Sequence, residues 1–387
     1  MEHATRQRRS PAGRGPELSS PKTTSLHGLH AETGARFVEF AGWELPVQFA
    51  GVMPEHLHTR AHASLFDVSH MGQVLVTADS GDPSDAAAAL ETLIPADLVG
   101  LADGRQRYGL FTDERGGILD DLMVSRHGDR FLLVVNAART EHDLGWLRQL
   151  RGVAVDHRTD RALLALQGPE AERALASLVP EAAQMRFMDS RPLEWAGHEV
   201  WVSRSGYTGE DGFEISVPND AAERFARALL AVDGVLPAGL GARDSLRLEA
   251  GMPLYGHDLS TDVTPAQGGL GWAVPKVRRV DGAREGGFPG ADAVLAELRD
   301  GPARVRRGLR PEGRAPIREG VALYADDAAT EPIGTVTSGS FGPSVGHPIA
   351  MGMLPAEIGG TVHAELRGRR VPVAVVDLPF ITPSYKR

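Results

Sequence analysis

The stretch Gly116-Gly117-Ile118-Leu119-Asp120-Asp121-Leu122-Met123-Val124 constrains the fold more than any other part of the sequence. The paired glycines read as a tight turn that opens a strand. Two adjacent carboxylates then sit inside an otherwise apolar run. A strand sends successive side chains to opposite faces, so Ile118, Asp120, Leu122 and Val124 share one face and Leu119, Asp121 and Met123 the other. The two aspartates therefore cannot do the same job from a regular strand. An ionised carboxylate in a buried strand needs a partner or a purpose. Spacing alone favours a strand end with both aspartates in solvent, and the remainder of the chain reverses that preference.

At 387 residues the chain is too long for one compact core and implies two or three domains. Composition is that of an ordinary globular protein, 42% hydrophobic and 24% charged. The 45 glycines and 26 prolines imply many turns and a large β content. A net charge of -10 without a basic stripe argues against nucleic-acid binding. With no cysteine there are no disulfides, thiolate metal sites, iron–sulfur ligands or cysteine nucleophiles. No apolar run reaches the roughly 18 residues of a membrane helix, and no h-region marks a signal peptide.

Residues 1–24 are rich in Arg, Ser, Pro and Gly and are expected to form a disordered tail. Arg6, Arg8, Arg9 and Arg14 fit a transit peptide, whereas Glu2, Glu17 and the prolines argue against an amphipathic targeting helix. Residues 25–279 alternate short strands and helices, which indicates α+β layers. Within them 26–33, 54–63, 85–93, 139–150, 169–178, 221–231 and 242–250 read as helices. Strands are expected at 36–40, 108–111, 118–124, 130–135 and 163–167, with 200–203 and 212–217 as arms of a hairpin-like unit. Residues 41–46 read as a turn. Residues 280–303, Gly- and charge-rich with a short helix, read as a linker. From 304 to 387 short β-like runs between Gly and Pro indicate an all-β barrel or sandwich.

Several residues carry candidate chemistry. Phe213, Ile215 and Val217 make one apolar strand face, and Glu214 points the other way, to solvent or into a cavity, where a carboxylate can accept two parallel N–H bonds. Arg243 and Arg247 share a helix face, and Arg247 pairing with Asp244 is the plainer reading. Gly239-Leu240-Gly241 can present backbone N–H groups to an anion at the start of that helix. Gly268-Gly269-Leu270-Gly271 closes no βαβ unit, so a nucleotide loop is disfavoured. His56, His58, His62 and His70 lack a clear ligand set, so a surface helix is favoured over a metal site. Ser69-His70 has no nucleophile-elbow context.

Several ordered segments together carry a family resemblance. They are residues 34–46, Phe66-Asp67-Val68-Ser69-His70-Met71-Gly72, residues 116–122, residues 204–214, residues 239–250 and residues 337–346. Across 24–385 the chain resembles the glycine cleavage system T protein family, the aminomethyltransferases. The resemblance implies three domains around a central opening that holds tetrahydrofolate. Two are intertwined α+β domains and the last is a C-terminal β-barrel-like domain. The implied reaction moves the aminomethyl carbon from the lipoyl arm of H protein to tetrahydrofolate. Its products are 5,10-methylenetetrahydrofolate, ammonia and dihydrolipoyl H protein.

Matched residue by residue, the family's key aspartate falls on Asp121. Glu214 falls on the glutamate that holds the guanidine-like pterin edge. Tyr108 and Tyr207 fall on pocket tyrosines, Arg243 on a ligand-contacting arginine and Tyr385 on a C-terminal tyrosine that reaches the ligand. An aspartate of ordinary pKa is a weak base near neutrality, so the resemblance favours an electrostatic role for Asp121. Ser125 stands where some members carry an aromatic, Phe187 where a tyrosine can occur and His347 in place of a frequent lysine. No metal is implied. The implied partners are lipoylated H protein and the other glycine cleavage components, with neither nucleic acid nor membrane. The implied location is cytoplasmic in a bacterium, which is preferred, or the mitochondrial matrix in a eukaryote. The competing readings are a tetrahydrofolate-dependent demethylase of the same fold and a non-catalytic folate-binding relative.

Overall fold

A computed structural model describes residues 20–387. Most of the expected tail lies outside the described residues. Its last part does not behave as a tail: Lys22–Thr23 pairs in parallel with Trp43 and Glu44, and Thr24 Oγ1 donates to Asp67 Oδ2 at 2.6 Å.

The segment before residue 280 folds around two antiparallel-rich sheets. One has five strands in the order Gln106–Thr112, Ile118–His127, Arg130–Val135, Gly72–Ala78, Val153–His157. The other has six, in the order Ser190–Trp195, His198–Ser203, Gly212–Pro218, Arg161–Gln167, Ala63–Asp67, Val235–Pro237. The chain leaves the second sheet after Asp67, builds the whole of the first, and returns at Arg161. The two α+β units are therefore intertwined.

Each sheet buries one face under helices whose apolar residues recur at helical spacing. Ala222, Phe225, Ala226 and Leu229 of the Asn219–Leu230 helix cover the six-stranded sheet. Ala86, Ala87 and Leu90 of the Pro83–Glu91 helix cover the five-stranded one. That helix is capped by Asp82, which accepts from the Ser84 N–H. The expected 41–46 turn is shorter than the sequence implies. Only Ala41 and Gly42, both with positive φ, turn the chain. Trp43–Gln48 is a strand, because Leu45 buries completely against the core.

In the 280–303 segment the Ala291–Asp300 helix packs Val294 and Leu295 against Val274 and Phe288. Beyond it six strands close a barrel in the order Arg304–Pro311, His347–Pro355, Gly334–Gly342, Ala322–Tyr324, Thr361–Leu366, Arg369–Val376. Closure removes the free strand edges that an open sheet would leave.

Candidate functional site

The Ile118–His127 strand sits between two hydrogen-bonded neighbours, which is what buries its carboxylates. The turn before it needs both glycines. Gly116 has φ +84, and a Cβ on Gly117 would lie 2.0 Å from the Thr261 carbonyl. Asp120 is fully buried and Asp121 partly exposed. Their surroundings differ, as strand alternation requires, yet one side chain reaches both. Asn136 Nδ2 donates to Asp120 Oδ1 at 2.9 Å and to Asp121 Oδ1 at 2.8 Å. Asp121 Oδ2 accepts from the Tyr108 hydroxyl at 3.0 Å.

Burial, and then the charge of Asp120, push the Asp121 carboxyl up to about 7, against the hydrogen bonds from Tyr108 and Asn136. The premise of an ordinary aspartate therefore fails here, and Asp121 can exchange a proton near neutral pH. Burial and the Asp121 charge raise the Tyr108 phenol well above its usual range, so it remains a donor.

Tyr207, Arg243 and Glu214 continue the same cluster. The Arg243 guanidinium lies 5.0 Å from the Tyr207 ring centroid, and the Tyr207 hydroxyl donates to the Pro253 carbonyl. Burial raises the Glu214 carboxyl, and the Arg243 charge and a 3.4 Å bond from Ser205 Oγ oppose that rise. Burial lowers the Arg243 guanidinium, and Glu214 opposes it in turn. Arg243 Nη1 is buried without a hydrogen-bond partner. The same is true of Nδ1 of His70, which burial, with Arg243 adding to it, lowers to about 4 and so keeps neutral at pH 7. Trp272, 63% exposed, lies 5.2 Å from the Tyr108 ring, so that edge of the cluster opens to solvent. Arg243 has an N–H to give, and the Glu214 carboxylate accepts only the one long bond from Ser205 among the described residues.

Tyr385 shares none of these contacts. Its ring stacks on Phe187 at 4.2 Å and 6°, and Glu210 and Arg60 are its charged neighbours. Among the described residues no hydrogen bond or ring contact joins it to Asp121, Tyr108, Tyr207, Glu214 or Arg243. A separate groove of about 580 Å³, lined by Arg105, His127, Arg130, Asp189, Arg191 and Trp201 among others, contains none of these candidates.

Two expectations need correction. His56 is not on a helix surface but fully buried, bonded to Ser245 Oγ at 2.7 Å, Glu249 Oε2 at 3.0 Å and Ser344 Oγ at 2.9 Å. No metal-holding cluster occurs among the described residues. The anion at the Gly239 N–H is the chain's own Glu55, whose Oε2 accepts it at 2.8 Å. Arg247 pairs with Asp244 as expected, and also with Asp258 at 2.8 Å. Asn136 was not singled out from the sequence. An Asn closing an apolar strand opposite two aspartates is the signal that identifies it.

The "GCVT N-terminal domain" family model matches residues 26–278 and the "Glycine cleavage T-protein C-terminal barrel domain" model matches 304–381. A mitochondrial aminomethyltransferase of Dictyostelium discoideum is 42% identical over 95% of this chain and 94% of its own length. An aminomethyltransferase of Synechococcus elongatus is 42% identical over 96% and 98%. The crystal structure of glycine cleavage system aminomethyltransferase T from Bartonella henselae superposes with a TM-score of 0.87, at 42% identity, over 95% of this chain and all of that one. The chain belongs to the glycine cleavage T-protein family, the aminomethyltransferases.

Proposed function

We propose that Asp121 is the carboxylate at which the aminomethyltransferase reaction of this chain takes place, with Tyr108, Tyr207, Glu214 and Arg243 holding the folate co-substrate. The activity itself follows from family membership and from near-full-length relatives that bear the aminomethyltransferase name. Those relatives do not favour the demethylase or the non-catalytic reading. The co-substrate is tetrahydrofolate, and the carbon arrives on the lipoyl arm of H protein within the glycine cleavage system.

The observation that carries the residue assignment is the placement of Asp121. It is a carboxylate oriented by Tyr108 and Asn136 beside a cluster that ends in a free Arg243 N–H and an underused Glu214 carboxylate. As the carbon passes to the folate nitrogens with loss of ammonia, positive charge develops there. A fixed negative charge lowers that barrier. A carboxyl poised at about 7 also accepts the proton that a folate nitrogen sheds when the carbon bridges it. The ring of Tyr207, with Arg243 against it, offers a wall for a flat pterin.

The test is methylenetetrahydrofolate formation from aminomethylated H protein and tetrahydrofolate. Asp121→Asn should lower turnover by about a hundredfold or more while thermal unfolding shows an intact fold. Turnover within about threefold of wild type would remove Asp121 from the chemistry.

A further inference from the structure

Asp121 belongs to a longer hydrogen-bonded set. Asn136 engages Asp120 twice, from Nδ2 to Oδ1 at 2.9 Å and from its backbone N–H to Oδ2 at 3.1 Å. Asp143 of the Thr140–Leu147 helix lies against Asp120, both residues are buried, and the Asp143 Oδ2 has no N–H or O–H donor of its own. Two carboxyls in contact away from water cannot both ionise, so one proton stays between them.

The donors around the pair decide its position. Both Asp120 oxygens accept N–H bonds. Asp143 Oδ2 is buried and receives none, and Oδ1 meets only His142 Nδ1 at 3.2 Å. The anion belongs where the donors converge, on Asp120, and the proton on Asp143. The other charged or titratable groups facing the pair are Asp121, Arg139, His142 and Tyr255. Arg139, its guanidinium 5.5 Å over the Tyr255 ring, favours one negative charge in the pair.

We propose that Asp143 is a positioning residue for the transfer: its carboxyl stays protonated, donates to Asp120, and by keeping the single charge of the pair on Asp120 holds Asn136 in place and sets the proton affinity of Asp121. The inference rests on Asp121 being the reacting carboxyl. It makes the burial of two further acids useful, because a steady negative neighbour keeps the proton affinity of Asp121 within reach of neutral pH.

The experiment compares pH–kcat profiles of wild type, Asp143→Asn and Asp143→Leu. Asn is permanently neutral and can still donate, so it should reproduce the wild-type midpoint. Leu cannot donate, Asp120 then takes up a proton more readily, and the midpoint should move to acid by about half to one unit. If both variants shift alike, or neither shifts, the proposal is overturned. Infrared difference spectra at neutral pH give a readout that needs no activity and no Leu variant. Wild type should show a protonated-carboxyl band that Asp143→Asn lacks, and absence of that difference also overturns the proposal. Full activity of Asp121→Asn, by contrast, would remove the reading of Asp121 while leaving the band in place.

Discussion

Asp121 shows what a single side chain gains from its neighbours. Its identity as an acid inside an apolar strand is legible from spacing, whereas its proton affinity is not. That affinity depends on burial and on Asp120, whose own state depends on Asp143, twenty-odd residues along the chain. The same environment makes a prediction about stability. A carboxyl raised from its ordinary value to about 7 contributes stability that is present below pH ~4 and lost as pH rises through about 7, because the folded state then has to carry a poorly solvated charge. Asp121→Asn has no such charge to bury. It should gain about 1–3 kcal/mol on wild type between pH 5 and pH 8, after allowance for the partial exposure of the site. Urea unfolding at the two pH values checks this, and a gain that is equal at both contradicts it.

Among the secondary-structure elements, the helices and most strands follow from periodicity. The exceptions have physical causes. Residues 41–46 read as a turn because they hold Gly42 and Pro46, yet Leu45 draws Trp43–Gln48 into the core as a strand. The Val52–Ala61 helix reads as a polar surface helix, and it is the facing Leu240–Glu249 helix that buries its His56. The Gly116-Gly117 turn is read correctly, but the reason for Gly117 lies in Thr261, far along the sequence. A methyl group there cannot be accommodated without moving backbone, since the obstructing atom is a carbonyl. Gly117→Ala should therefore cost about 1–3 kcal/mol and displace the strand that carries Asp121, lowering turnover as well. Unaltered unfolding and turnover would show that the contact relaxes freely.

On the scale of the whole molecule, Glu249 joins the parts. Its side chain is buried and accepts from His56, from Arg60 Nη2 at 3.1 Å and from the Ser344 N–H at 2.7 Å in the barrel. Its carbonyl accepts from Phe380 and Ile381 N–H, beyond the last barrel strand. Burial raises its carboxyl, but these partners, His56 foremost, outweigh that and bring it down to about 2. Glu249→Ala takes away the buried carboxylate that His56, Arg60 and the Ser344 N–H share. It should cost about 3–5 kcal/mol and lower the calorimetric unfolding midpoint, whereas a change below about half a kilocalorie would deny it that role. The barrel is legible from its short runs between Gly and Pro, but this joint is not, because its members are scattered over residues 56, 60, 249 and 344. The crossing of the chain between its two sheets has a consequence for synthesis. Ala63–Asp67 leaves the ribosome well before Arg161–Gln167 or Val235–Pro237, the two strands that flank it. For that interval a ribbon whose every residue is buried in the finished fold has no mate, and its protection falls to whatever shields nascent chains.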